Sequence, residues 1–128
     1  MRFGSMLTSI RNSLSPSRYS TRFIMGMNIK EDVLMNGIKP ELVLGLQLAL
    51  TYFQDQGIED MVITSIVDGR HGIGSLHYVG YAADLRIWAI PDDKLAEFTV
   101  GLANQLGSEF DVVLESDHIH IEFQPKTI

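Results

Sequence analysis

Three of the four histidines in this 128-residue chain, His77, His118 and His120, fall in two short stretches. The first, Ser75–Asp84, reads S-L-H-Y-V-G-Y-A-A-D, and the second, Glu115–Phe123, reads E-S-D-H-I-H-I-E-F. The fourth, His71, stands six residues before His77. Asp84, Asp117 and Glu122 lie among them. Imidazole nitrogens gathered beside carboxylates suit a divalent metal ion with an acid or base next to it. The chain has no cysteine, so disulfides and thiolate sites are excluded, and His, Asp or Glu must supply any ligand.

Strand alternation sharpens the second stretch. In an extended segment His118, His120 and Glu122 share one face, and Ile119, Ile121 and Phe123 share the other. The apolar row faces a core and the polar row stands on a rigid support, which fixes ligand distances. A plain solvated face gives the same alternation. The first stretch adds to it, because Gly80 and the pair Ala82 and Ala83 let backbone approach closely between His77 and Asp84. A loop followed by a strand could bring His77 and Asp84 onto one ion. Two nitrogens and one carboxylate oxygen with an open fourth position form a catalytic zinc set.

The elements around these stretches read as follows. Residues 1–27 are rich in Ser, Arg and Met, with Pro16 among them, and are expected to form an extended arm. Pro40 favours a helix start, and Leu42, Val43, Leu46, Ala49, Leu50 and Phe53 recur at helical steps through Glu41–Gln56, with Gly57 as the stop. Met61–Val67 is β-branched and apolar, a buried strand. Gly69, Gly72 and Gly74 mark a loop over Asp68–Leu76. Ala82–Trp88 reads as a strand. Pro91 opens a second helix with Leu95, Phe98, Val100, Leu102 and Leu106 on its apolar side, ending at Gly107. Phe110–Leu114 and His118–Phe123 read as a hairpin turning at Glu115–Asp117. This order predicts one α+β domain over residues 28–128, a small antiparallel sheet with flanking helices.

Composition narrows the function classes. Hydrophobic residues make up 45% and charged residues 20%, as in ordinary globular proteins. Five of the ten basic residues stand within residues 1–30, where there is no acid, and the other five share the rest of the chain with all sixteen acids. The acidic body argues against a nucleic-acid groove. No apolar run reaches the length of a membrane span or a secretory signal, so neither is expected. The basic arm resembles a mitochondrial transit peptide in composition, but a docking arm or a plain tail fits it better.

The pattern S-x-H-x-x-G-x-A-x-D, carried by Ser75, His77, Gly80, Ala82 and Asp84, is followed by acid-x-x-His at Asp117 and His120. It resembles the zinc D-alanyl-D-alanine peptidases and murein endopeptidases, including phage endolysins that cut the L-Ala–D-Glu bond, whose fold is shared with the Hedgehog signalling domain. The resemblance covers about Ile38–Gln124. It implies zinc held by His77, Asp84 and His120, with Asp117 as general base, His118 assisting at the metal and Arg70 contacting substrate or oxyanion. In such a site zinc lowers the pKa of water to about 7 and a carboxylate accepts the proton. Each role has a structural alternative: Asp117 as a turn residue, Arg70 and His71 as loop residues, Ser75 bonded to the loop backbone. Trp88 and Tyr78 are expected mainly to pack, with Tyr78 able to rim a cleft. The implied activity is cleavage of peptidoglycan stem peptides by a phage endolysin or virion-borne enzyme, acting from the host cytoplasm or the particle. The arm could then dock on phage structural proteins. The alternative is a structural or assembly component of a phage particle that keeps this fold without catalysis.

Overall fold

The computed structural model describes residues 26–68, 71 and 74–126. The expected arm, residues 1–27, lies outside these except for Gly26 and Met27, and Arg70 lies outside them too. The elements are β1 (Met27–Ile29), α1 (Pro40–Asp55), β2 (Met61–Ser65), β3 (Ala82–Arg86), a 3-10 turn (Asp92–Lys94), α2 (Leu95–Leu106), β4 (Phe110–Leu114) and β5 (His118–Phe123). They make an α+β structure with one five-stranded sheet in the order β1-β2-β3-β5-β4. The sheet is mixed rather than antiparallel: β1 runs parallel to β2, pairing Met27 with Met61 and Ile29 with Ile63, and the other pairs are antiparallel. β1 has only three residues and no periodic signal. Its pairing partner, not its own composition, makes it a strand.

The two helices cover one face of the sheet. Leu42, Leu46, Ala49, Leu50 and Phe53 of α1 and Phe98, Leu102 and Leu106 of α2 join Met61, Ile63, Ala83, Leu85, Ile119 and Ile121 in one buried core. Phe98 meets Tyr52 and Phe53 edge-on, with ring centroids 4.9 Å apart in each pair, and so ties the helices together. Val43 and Val100, expected in the apolar stripes, are exposed instead. Each directly follows or stands two places from a buried residue, which at about 100° per residue turns it away from the sheet. Pro91 does not open α2 directly; the 3-10 turn intervenes and the α-helix begins at Leu95.

Strand β2 stops at Ser65, two residues before the expected end. The Ile66 N–H donates to Asp68 Oδ1 (2.9 Å) and the Ile66 carbonyl accepts from His77 Nδ1 (2.6 Å). Both backbone groups of Ile66 are thus drawn out of the ladder. Between Ile63–Leu85 and Ser65–Asp84 the register shifts, so β2 advances two residues while β3 advances one. Such a bulge re-aims side chains near sites, and here it lies opposite Asp84.

Candidate metal centre

The site is built on the sheet face away from the helices. In the β3–β5 register Ala82 pairs with Glu122, Asp84 with His120 and Arg86 with His118. Alternation places all six on that face, while Ala83, Leu85, Ile119 and Ile121 fill the core. β3 and β5 are inner strands, each paired on both sides. His77 comes from the connection between β2 and β3. Its backbone N–H donates to Ser75 Oγ (3.2 Å), the structural role open to Ser75. Gly80 closes the turn: its N–H donates to the His77 carbonyl (3.1 Å), and its own carbonyl accepts from Lys39 N–H (3.0 Å) just before α1.

His77, Asp84 and His120 form a group able to hold a metal ion. His77 Nε2 lies 3.1 Å from His120 Nδ1 and 3.2 Å from Asp84 Oδ1, and His120 Nδ1 lies 3.1 Å from Asp84 Oδ1. A tetrahedral zinc ion with bonds of about 2.0–2.1 Å sets its ligands about 3.3 Å apart, so the triangle fits one face of that tetrahedron. The outer nitrogens are already engaged. His77 Nδ1–H donates to the Ile66 carbonyl, and His120 Nε2–H donates to Glu122 Oε1 (2.7 Å). Such partners orient metal-binding imidazoles and leave the inner nitrogen as a lone pair. Three acceptors then meet in a largely buried corner, and one proton cannot satisfy all three, whereas a dication can. The residues therefore fit a metal ion.

Electrostatics agree. Burial opposes the charge on Asp84, but hydrogen bonding with His120 and His77 and the electrostatic influence of the His77 and His118 imidazoles outweigh it and hold the carboxyl well below the usual range. The hydrogen bond to Asp84 raises His120, burial opposes, and Glu122 adds to the rise, so that its pKa is pushed up to about 8. In the metal-free protein His120 thus stabilises the fold below its ordinary 6.5, and that contribution disappears as pH rises through about 8. Asp84 works the other way: its contribution is present above 3.8 and is lost as pH falls through its lower folded value. Urea unfolding in chelator is expected to show greatest stability between those limits. A loss of about 2 kcal/mol should follow from pH 6.5 to 9. A flat profile over that interval would refute the His120 assignment. Metal uptake, which displaces the proton on Nδ1, should strengthen over the same rise.

The remaining residues surround the triangle unequally. An open cleft of about 320 Å³ is lined by His71, Ser75, His77, Asp84, Glu115, His118 and His120. His118 Nε2 lies 3.5 Å from Asp84 Oδ1, and its Nδ1–H donates to Asp117 Oδ1 at 2.6 Å. Asp117 itself does not line the cleft, and its side chain is 82% exposed. It reaches the site through His118. Glu115, expected only as a turn residue, contributes to the cleft wall. Its backbone N–H donates to the His118 carbonyl (2.8 Å), closing the hairpin. His71, expected as a plain loop residue, lies flat on His77, with centroids 3.8 Å apart and planes 4° apart. His71 Nε2–H donates to the Asp68 carbonyl (2.6 Å), and Tyr78 grips its backbone, accepting from His71 N–H and donating to its carbonyl. The aromatic ring beside His77 in the sequence thus anchors the loop. A histidine six residues away in the sequence carried no spacing signal for that stack.

No protein-family model matches the chain, and no curated protein matches it either. No helix among the described residues is long and apolar enough to cross a membrane.

Proposed function

We propose that the chain is a zinc-dependent peptidase of the murein type, cleaving peptide bonds in the stem peptides of bacterial peptidoglycan. The observation that carries the metal chemistry is the triangle of His77 Nε2, His120 Nδ1 and Asp84 Oδ1, with both imidazoles locked from behind by Ile66 and Glu122. Two nitrogens and one carboxylate with a cleft on the fourth side suit zinc in a catalytic rather than a structural site. The substrate class rests on the resemblance of Ser75–Asp84 and Asp117–His120 to the D-alanyl-D-alanine and murein peptidases, whose Hedgehog-like fold is compatible with a mixed sheet backed by two helices. A phage setting, as endolysin or particle-borne enzyme, rests on the same resemblance.

A bound zinc ion supplies Lewis acidity to the scissile carbonyl. The chain does the rest. His118, oriented by Asp117, presents Nε2 towards the cleft and can take a proton from the water that adds to the scissile carbonyl carbon, then give it to the amine released as the C–N bond breaks. This divides the role implied for Asp117: the histidine handles the proton and the carboxylate fixes its tautomer, as in other Asp–His pairs. Glu115 offers a second carboxylate on the cleft wall. The test is digestion of purified peptidoglycan by the full chain, loaded with zinc or stripped by chelator, with mass analysis of the fragments. New amino termini within stem peptides, present only with metal, are the expected result. Intact walls after incubation with the zinc-loaded protein would refute the proposal and favour a structural role.

A further inference from the structure

The sheet face that carries the metal triangle continues beyond the cleft. Along β3 the next residue on the site face is Arg86, paired with His118 as Asp84 is paired with His120. Its guanidinium carbon stands 3.8 Å from the ring centroid of Trp88. Trp88 is 78% exposed, contrary to the packing role expected for it, and it is the one tryptophan in the chain. The ring's one recorded contact is with the Arg86 guanidinium, and the rest of its surface is open.

We infer that Arg86, stacked on Trp88, is a carboxylate-binding subsite for the peptide substrate, an inference that rests on the proposed peptidase reading. Stacking occupies the face of the guanidinium and leaves its in-plane N–H donors free for a bidentate acceptor. Arg86 forms no ion pair with any described residue. It is also the sole arginine among the described residues, on a face shared with Asp84, Asp111, His118, His120 and Glu122. Lys126 is already paired with Asp111, so Arg86 is the cation on β3 left to meet an anionic group. Two residues of strand place Arg86 about 7 Å along from Asp84. An extended peptide advances about 3.3–3.6 Å per residue, so the recognised carboxylate lies one or two residues from the bond held at the metal. Specificity would then favour acidic or carboxyl-terminal residues beside the cleaved bond.

Trp88 supplies the readout, because its emission reports binding whether or not hydrolysis follows. The zinc-loaded full chain is titrated with N-acetyl-L-alanyl-D-glutamate and with its uncharged diamide, and hydrolysis of both is followed by mass analysis. The dicarboxylate is expected to shift Trp88 emission with saturation, and the diamide to need roughly ten-fold more for half-effect. Arg86→Gln should erase that difference at unchanged zinc content, and Arg86→Lys should retain part of it, since the charge remains without the fork. Equal half-saturation for the two peptides, an undiminished preference in Arg86→Gln, or no response to either peptide would overturn the subsite. Carboxylate-dependent binding with no cleavage of these peptides or of peptidoglycan would keep the subsite and refute the peptidase. Cleavage at equal KM for both peptides would do the reverse.

Discussion

His120→Ala is expected to abolish both metal retention and wall digestion. The wild-type chain should carry about one zinc ion, as the three-residue set implies. The variant should carry none after gel filtration, and digestion should fall by roughly a thousand-fold or more, since several kcal/mol of transition-state stabilisation leave with the ion. Glu122→Ala provides the graded comparison. It keeps all three ligands but removes the acceptor of His120 Nε2–H. Loss of such an orienting partner typically weakens metal affinity about 10–100-fold. Metal analysis together with a competitive chelator titration distinguishes the two variants. A His120→Ala protein with full zinc content would show that the ion, if bound, sits elsewhere. A Glu122→Ala protein with unchanged affinity would show that the imidazole needs no support from behind.

Gly80→Ala is expected to be among the most destabilising single-methyl changes in the described fold. Gly80 has φ +82°, a conformation that side chains rarely adopt, and an added Cβ would collide with the Gly37 carbonyl. The obstacle is backbone, which cannot rotate away. Strain and collision together should cost about 3 kcal/mol. That corresponds to a fall in melting temperature of roughly 15 °C. Gly57→Ala is the control, because Gly57 has φ +88° with open space where a Cβ would go. It should lose only the conformational part, about 1 kcal/mol. Thermal unfolding of both variants decides the matter: equal losses would mean that the contact with Gly37 is not tight. Since Gly80 also holds the His77 carbonyl and the start of α1, the surviving fraction of Gly80→Ala should bind metal weakly as well.

The hairpin and its polar row were legible because alternation of His, Ile and Glu leaves few options. β4 and β5 run over Phe110–Leu114 and His118–Phe123 as expected, and α1 lies one residue earlier than expected at each end. His77, Asp84 and His120 converge as their motif implied. What stayed hidden depends on pairing across the fold. Met27–Ile29 becomes a strand only because β2 offers an edge. β2 ends early because Asp68 and His77 claim the backbone of Ile66, and β3 ends at Arg86 rather than Trp88. Glu115 looked like a turn residue, and it is one, yet the turn also delivers it to the cleft. Asp117, implied as the general base, accepts from His118 Nδ1–H at 2.6 Å with its own side chain largely exposed. Such distinctions follow from side-chain direction, which spacing does not encode.

The three ligands differ in how much of the molecule must open to release each one. Asp84 and His120 stand on β3 and β5, both bonded on both flanks, so freeing either requires rupture of the sheet's centre. His77 stands on a connection held by turn bonds, the Gly80–Lys39 link and one ring bond to Ile66. Connections open at lower free energy than central strands. The residence time of an ion at this site would therefore be governed by excursions of the His77 segment, with the sheet still folded. Exchange of a bound ion and survival of the fold would then run on separate timescales, the faster one set by the joint between Ile66 and His77.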